Sequence, residues 1–211
     1  MPSLRQLHAS HGTLLLLDAA SPRAQVGWLH ADGVADWRSI DDEAGVGLFT
    51  CLGQFAQKPA DAGAFLFCDG PGSVLGIRTS AMAVRTWNVL SRRPVYAYCS
   101  LALIAHAIGR NDVSVIADAR RDAWHQFTLE TGLRRVSSKM LDGEMVTPDT
   151  FRHWSPLPAN VTPFPYVVAD MLPRLKDADL FSCAEQPDAF MHEEPSYVKW
   201  TPQVHRAPAK R

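Results

Sequence analysis

The sequence predicts an α/β fold in two lobes, each built on a mixed β-sheet, with the second lobe reduced. Short apolar runs of strand length open the chain, and segments with helical spacing then alternate with further strands. A similar order of strands begins again near residue 113. Three antiparallel strands followed by strand–helix alternation are the pattern of a ribonuclease H-like or actin-like lobe. We therefore expect an N-terminal actin-like lobe over residues 1–110 and a reduced C-terminal lobe over residues 111–211.

The first three predicted strands form an antiparallel meander. Residues 13–18 (TLLLLD) are an apolar run that ends in an acid, which indicates a buried central strand. Residues 24–30 and 34–40 form two more strands. Gly33 lies between them and can adopt the positive φ that a hairpin turn requires.

A helix is predicted over residues 42–57, where apolar residues lie three and four positions apart. The residues of its core-facing side are Leu48, Leu52 and Phe55. We expect Asp41 or Asp42 to cap its N-terminus and Pro59 to end it.

Strands and helices alternate through the rest of the first lobe. The predicted elements are a strand over 64–68, a helix over 74–90, a strand over 94–98 and a helix over 100–108. The residues of helix 74–90 predicted to face the sheet are Val74, Ile77, Ala81 and Val84. Ser100 is expected to cap the last helix, and Gly109 to stop it.

The predicted second lobe repeats this order of secondary-structure elements in a shorter form. Strands are predicted over 113–118, 123–129 and 134–138. Prolines between 148 and 165 predict an irregular crossing segment. A last helix is predicted over 166–176, which contains a proline that shortens or kinks it.

Composition narrows the class of protein. The chain has 211 residues with a formal net charge of −1, which argues against a nucleic-acid surface built from bulk charge but does not exclude a local basic patch. Its four cysteines include no CxxC pair, and Cys68 and Cys99, at the ends of apolar runs, are expected to be reduced core thiols. No run of 18 apolar residues and no signal-peptide pattern is present. We expect a soluble, cytoplasmic protein with no membrane partner.

The segment CDGPGSVLGIRTS links a predicted strand to a predicted helix. No lysine follows Gly76, which excludes a P-loop, and the spacing GxGxxxG departs from the dinucleotide pattern GxGxxG. The remaining interpretation is a tight turn, in which Pro71 and Gly72 shape the backbone, Ser73 caps the helix and Gly76 packs closely. Binding of an anion at the helix N-terminus stays open as the alternative.

Four motifs in order resemble the TsaB (YeaZ) family. GPGSVLGIR at residues 70–78 resembles the GPGS-x-x-G-x-R signature of that family. The other three motifs are the opening strand at 14–18, IADAR at 116–120, and a closing motif made of ADMLP at 169–173 and EPSYVK at 194–199. Val74 and Leu75 stand where the family usually has Phe-Thr, and Ala19 follows the opening aspartate where it usually has threonine, so the chain resembles a divergent relative of the family. The motif residues carried over are Asp18, Gly70, Pro71, Gly72, Ser73, Gly76, Arg78, Asp118 and Arg120.

The resemblance implies a catalytically inactive scaffold with the actin-like fold of sugar kinases and heat-shock ATPases. TsaB-like proteins dock on the catalytic subunit TsaD, which with the ATPase TsaE installs threonylcarbamoyl on the adenosine next to the anticodon of some tRNAs. TsaD carries a metal-binding HxxxH pair, whereas His8 and His11 here are three apart in a predicted tail. The resemblance thus implies no catalytic residue, no metal and no cofactor, a homodimer when alone, and only indirect contact with tRNA.

Two predicted helices offer a candidate partner surface. Gly45, Phe49 and Gly53 lie four residues apart, on a different face from the core stripe. The second helix has a mixed outer face suited to a wet interface, formed by Thr79, Met82, Arg85 and Thr86. The resemblance implies that these helices dock on TsaD or on a second copy. The alternative is that Phe49 only covers the neighbouring helix within its own lobe.

The competing class of function is an enzyme. Asp18 and Asp118 each end the first strand of a lobe, where two carboxylates across a cleft could hold Mg²⁺ and nucleotide in a small-molecule kinase or ATPase. A salt link from Asp118 to Arg120 or Arg121 is the more economical interpretation. A peptidase is disfavoured because Ser73 has no GxSxG context and the TsaD histidines are absent.

Overall fold

The computed structural model describes residues 1–190 and contains two mixed β-sheets. Its strands, in chain order, are β1 (Leu14–Asp18), β2 (Arg23–Leu29), β3 (Ala35–Asp41), β4 (Ala64–Gly70), β5 (Val95–Cys99), β6 (Val113–Asp118), β7 (Ala123–Thr128), β8 (Gly132–Ser137), β9 (Glu144–Pro148), β10 (Val161–Phe164) and β11 (Ser182–Cys183). The first sheet has the order β11-β5-β4-β1-β2-β3, and the second has the order β10-β9-β6-β7-β8. This is the mixed α/β, actin-like or ribonuclease H-like fold that the sequence predicts.

The two sheets begin with the same topology. In the first, β1 pairs antiparallel with β2, β2 pairs antiparallel with β3, and β4 adds parallel to β1. In the second, β6 pairs antiparallel with β7, β7 with β8, and β9 adds parallel to β6. In each sheet the first strand therefore lies at the centre, between an antiparallel meander and a parallel partner.

Within residues 1–190, five α-helices cover the sheets: α1 (Leu4–His11), α2 (Ala44–Gly53), α3 (Val74–Leu90), α4 (Ser100–Ile108) and α5 (Val168–Met171). Short 3-10 turns span Pro59–Asp61, Ser138–Met140 and Leu172–Leu175. Successive side chains of a strand point to opposite faces. Accordingly, Leu15 and Leu17 of β1 pack with α2 and α3, while Leu14 and Leu16 pack with α1 and with α4, which contacts both sheets.

The start of the chain differs from the prediction. Residues 4–11 form α1 rather than a tail, so His8 and His11 are helical. Ser3 Oγ accepts a hydrogen bond from the Gln6 backbone N–H, while the Gln6 side chain accepts one from the Ser3 N–H. This capping box was the sequence signal for a helix start. The helix is also held by later residues, since Arg5 N donates to the carbonyl of Lys176.

Two helix caps were also predicted wrongly. Helix α2 begins after Glu43, whose side chain makes no capping bond, and ends at Gly53 well before Pro59. The Asp42 carboxylate accepts from the adjacent Glu43 N–H rather than from the helix. Ser100 lies inside α4, and its hydroxyl donates to the carbonyl of Pro71.

The end of the second lobe contains two strands, β9 and β10, that the sequence did not predict. The helix expected over 166–176 is instead the short α5 followed by a 3-10 turn that contains Pro173. The EPSYVK segment lies outside the described residues. The lobe limits 1–110 and 111–211 stay a prediction, because β11 leaves the second half of the chain and pairs with β5 of the first sheet. No helix within residues 1–190 is long and apolar enough to cross a bilayer.

Candidate functional site

The glycine-rich turn between β4 and α3 packs against the start of the β1–β2 connection. The Gly70–Pro71 bond is cis, and Gly72 has a φ of 154°. Ser73 N donates to the Ala20 carbonyl at 2.7 Å, and Ser73 Oγ accepts from the Gly76 N–H at 3.3 Å. The helix therefore begins at a side-chain cap and is anchored to the chain that leaves β1.

Glycine is required at the first turn of α3 because two backbones meet there. A Cβ at Gly76 would lie 2.0 Å from the Ala19 carbonyl oxygen, and one at Gly72 would lie 2.4 Å from the Ala20 carbonyl oxygen. Contacts this short with backbone cannot be relieved by turning a side chain. The motif glycines thus bring α3 close to the end of β1.

Asp18 lies fully buried at the carboxyl end of β1. One carboxylate oxygen accepts from the Ala20 N–H at 3.0 Å, and the other accepts from the hydroxyls of Tyr98 and Tyr166, the latter at 2.7 Å. Burial raises the pKa of Asp18, although the hydrogen bonds from the tyrosines oppose the shift. Because Tyr166 follows β10 and Tyr98 lies in β5, this carboxyl group joins the two halves of the chain.

Asp118 ends β6 in a different environment. Its oxygens accept from the backbone N–H groups of Arg120, Trp154 and Ser155 at 2.6 to 2.7 Å. Burial raises the pKa of Asp118, but these backbone hydrogen bonds outweigh it and hold the pKa below its ordinary value. The expected salt link to Arg120 or Arg121 is wrong: among the described residues Asp118 is bound by backbone groups, and the Arg120 guanidinium lies over the Trp154 ring.

The two aspartates are therefore not equivalent metal ligands. Both oxygens of Asp18 are bonded inside the protein, and its side chain has no exposed surface. In the part of the chain that the structure describes, no group of three or more His, Cys, Asp or Glu side chains is placed to hold a metal ion.

An exposed groove runs between α2 and α3. Its volume is about 420 Å³, and it is lined by Phe49, Leu75, Arg78, Thr79, Met82, Ala83, Thr86 and Trp87. The sequence-predicted residues Phe49, Thr79, Met82 and Thr86 are brought together here. Phe49 is 51% exposed and Met82 is 55% exposed. Packing against the neighbouring helix of the same chain therefore leaves about half of each residue in contact with solvent.

The other predicted residues of this surface lie beside the groove. Gly45 and Gly53 are exposed on α2, where a Cβ at either position would have no atom within 4 Å, and Arg85 is exposed on α3. Arg78 forms an ion pair with Asp188 at 3.5 Å. Val74 was predicted to face the sheet, but it is half exposed because it stands in the first turn, before the helix meets the strands.

Sequence reasoning missed part of this surface. Leu75, Met82 and Val89 are large, exposed and spaced seven residues apart on α3. Thr79 and Thr86 complete a three-four spacing, and each donates its hydroxyl to a carbonyl of its own helix. The heptad spacing was visible in the sequence, but the apolar residues on the opposite side of α3 concealed which stripe faces the core. We call Phe49, Leu75, Thr79, Met82, Thr86 and Val89 the α2–α3 face.

The fold has solved counterparts. YeaZ from Pseudomonas aeruginosa superposes with a TM-score of 0.61 and 21% identity over 85% of this chain and 99% of that chain. An uncharacterized protein described as similar to peptidase YeaZ, also from Pseudomonas aeruginosa, gives a TM-score of 0.57 and 20% identity over the same shares. No protein-family model and no curated protein sequence matches the chain. The resemblance drawn from the motifs is thus confirmed in three dimensions: the chain has the fold of YeaZ.

Proposed function

We propose that the chain is a TsaB-like scaffold subunit that pairs with a TsaD-like catalytic subunit through the α2–α3 face. In this role it supports threonylcarbamoyladenosine modification of tRNA, together with a TsaE-like ATPase, and has no catalytic site of its own. The observation that carries the proposal is the row of exposed apolar residues on α3, formed by Leu75, Met82 and Val89. Phe49 of α2 flanks this row. The choice of a TsaD-like partner is supported by the motif resemblance, and the YeaZ fold agrees with that resemblance.

The spacing of the exposed α3 residues in the α2–α3 face favours a helical partner. Exposed residues that recur every three and four positions match the ridges of a second helix packed at about 20°. Helix α3 has 17 residues, which corresponds to about 25 Å of contact length. With the adjoining groove, this length suits a standard interface of roughly 800 Å² on each partner.

The charges of this surface favour a different chain over a second copy. Helix α3 carries no acidic residue and two arginines, Arg85 and the Arg78 that pairs with Asp188, while α2 carries no charged residue. Two copies joined by this face bring like charges together, whereas a partner with an acidic residue pairs with Arg85. We therefore expect the homodimer to be the weaker assembly and the heterodimer to replace it.

The decisive experiment is light-scattering mass measurement of the chain alone and mixed with the TsaD-like subunit of the same organism. The expected result is a one-to-one heterodimer. Phe49→Glu places a charge in the groove and should weaken the heterodimer at least 100-fold while the thermal midpoint stays unchanged, because Phe49 is half exposed in the monomer.

Leu157→Glu is the matched control, since Leu157 is an exposed apolar residue of the second half of the chain. It should leave the heterodimer intact. A wild-type chain that ignores the TsaD-like subunit, or a heterodimer indifferent to Phe49→Glu, contradicts the proposal.

The alternative of an ATP-dependent kinase or ATPase finds little support in the geometry of Asp18. A metal-organising carboxylate needs an oxygen open to the ion, and both oxygens of Asp18 are occupied by protein donors in a buried site. Magnesium-dependent ATP turnover that is lost in Asp18→Asn would favour the enzyme.

A further inference from the structure

A basic surface lies at the end of the second sheet, outside the α2–α3 face. The turn Ala119–Asp122, between β6 and β7, supplies Arg120 and Arg121, and the segment 151–155 packs against it. We call the group formed by Arg120, Arg121, Arg152 and Trp154 the Arg/Trp patch.

The backbone of the turn holds its arginines in an unusual conformation. Arg120, Arg121 and Asp122 have φ values of 62°, 54° and 56°, three successive left-handed residues of which none is glycine. Such conformations are costly and persist only where the surroundings impose them. Here Ala119 N donates to the Ala123 carbonyl, and Ser138 N donates to the Asp122 carbonyl. The turn is thus built to hold two consecutive arginines outward from the sheet.

One of these arginines is stacked on an exposed tryptophan. The Arg120 guanidinium carbon lies 4.2 Å from the centroid of the Trp154 ring, and Trp154 is 61% exposed. Its backbone N–H is bound to Asp118, which anchors the main chain that carries the ring. Within residues 1–190, the Arg120 guanidinium makes no ion pair and no hydrogen bond. Its N–H groups therefore remain available to a ligand while the guanidinium group lies over the ring.

The local charge is positive although the chain as a whole is slightly acidic. Arg120, Arg121 and Arg152 are all exposed, and Lys139 lies in the 3-10 turn that is tied to Asp122. Two acids lie beside these cations in the chain: Asp118 already accepts three backbone N–H groups, and the exposed Asp122 forms no ion pair with another described residue. The patch thus combines cations that are not neutralised by their neighbours with an open aromatic surface.

We propose that the Arg/Trp patch binds a single-stranded nucleic-acid segment. Arg120 and Arg121 contact phosphate groups, and an unstacked base lies on the exposed part of Trp154. Guanidinium groups match phosphate oxygens, and aromatic rings stack bases of any sequence. An acidic peptide uses the cations but has no need of the exposed ring, so the tryptophan decides between the two ligands. This site goes beyond the proposed scaffold function and does not depend on a partner subunit.

The test is fluorescence anisotropy of the full chain with a fluorescein-labelled, mixed-sequence single-stranded RNA of about 12 nucleotides, within the usual site size for such surfaces. Trp154→Ala should weaken binding about tenfold through loss of stacking, while Trp154→Phe should retain most of the affinity. Arg120→Ala and Arg121→Ala should each weaken binding and reduce the slope of log affinity against log salt by about 0.7, the value for one phosphate contact to a single strand.

Two matched controls lie in the first half of the chain. Arg92→Ala removes an exposed arginine and Phe49→Ala removes a half-exposed aromatic ring, and both should bind RNA like the wild type. The proposal is overturned if the wild type does not bind the RNA at about 50 mM salt, where phosphate contacts are strong. It is also overturned if Trp154→Ala binds as well as the wild type, or if polyglutamate competes as well as unlabelled RNA. Failure of the scaffold proposal appears separately, because Phe49→Glu should weaken the heterodimer at least 100-fold and leave RNA binding intact.

Discussion

Asp18 and Asp118 occupy corresponding ends of the central strands β1 and β6, yet their surroundings are opposite. Each accepts the backbone N–H of the residue two positions later, Ala20 in one case and Arg120 in the other. Beyond that shared turn, Asp18 is buried and bound by two tyrosine hydroxyls, whereas Asp118 is partly exposed and bound by the backbone of a surface loop.

The difference comes from the connection that leaves the parallel neighbour of each central strand. In the first sheet, β4 leads through the glycine-rich turn into α3, whose first turn closes over the end of β1. In the second sheet, β9 is connected to β10 by a loop without a helix, and this loop covers the end of β6 only partly. The same strand-end carboxylate therefore serves interior packing in one lobe and surface organisation in the other.

The close contact between the first turn of α3 and the end of β1 should be disrupted most strongly by a substitution at Gly76. Gly76→Ala places a Cβ 2.0 Å from the Ala19 carbonyl oxygen and should lower the free energy of unfolding by about 3 kcal/mol or more, since helix and strand must separate. Denaturant titration followed by circular dichroism measures the loss. The matched control is Gly45→Ala on α2, where no atom is near, and which should stabilise the chain by about 0.5 kcal/mol. Equal changes in unfolding free energy for the two variants would contradict this close contact between α3 and β1.

The next largest effect is expected from removing each carboxylate in turn, because the two variants should lose different amounts of unfolding free energy. Asp18→Ala leaves the hydroxyls of Tyr98 and Tyr166 buried without their acceptor and should cost about 2–3 kcal/mol of unfolding free energy. Asp118→Ala exposes three backbone N–H groups near solvent and should cost about 1 kcal/mol. Chemical denaturation of both variants at neutral pH measures these losses. A larger loss of unfolding free energy for Asp118→Ala than for Asp18→Ala would contradict the prediction.

The pH dependence of stability should differ in sign between the two groups. The pKa of Asp18 is raised above 3.8, so its contribution is fully present below pH 3.8 and is lost as the pH rises through the folded-state pKa. The pKa of Asp118 is lowered below 3.8, so its contribution is present above pH 3.8 and is lost as the pH falls through the folded-state pKa.

Denaturant titrations of Asp18→Asn, Asp118→Asn and the wild type from about pH 3 to about pH 8 measure these contributions. Relative to the wild type, Asp18→Asn should gain stability with rising pH, by at most about 1.4 kcal/mol per pH unit. Asp118→Asn should lose stability relative to the wild type as the pH rises from the acidic end of this range. Parallel curves for all three proteins would show that neither carboxyl group changes its pKa on folding.

Strands β1 to β5 of the first sheet could be predicted from the sequence because their signals are local, whereas its edge strand β11 was not predicted. Buried strands appear as apolar runs, and Ser73 and Gly109 mark helix ends by their own chemistry. Helix α3 and strand β6 have the predicted bounds for these reasons. The Asp18 network was not predictable in the same way, because Tyr98 and Tyr166 come from positions 80 and 148 residues away in the chain.

The second half of the chain was harder to predict since tertiary pairing overrides local preference there. Pro163 lies within β10, a four-residue edge strand, where its missing N–H is tolerated. The groove partners Phe49 and Met82 could be named from helical spacing, because an exposed apolar residue on an amphipathic helix stands out. Trp154 offered no such signal, since its role beside Arg120 depends on how a proline-rich loop folds back onto a turn.

The pairing of β11 with β5 has a consequence for biosynthesis. Cys99 ends β5 and Ser182 begins its antiparallel neighbour, so about 80 residues must be translated between the two. At roughly 5–20 residues per second, that interval is about 4 to 16 s. During this time the nascent chain presents an unpaired strand edge, the kind of surface on which other chains aggregate. The rate of translation through the second lobe therefore sets how long the growing polypeptide is vulnerable.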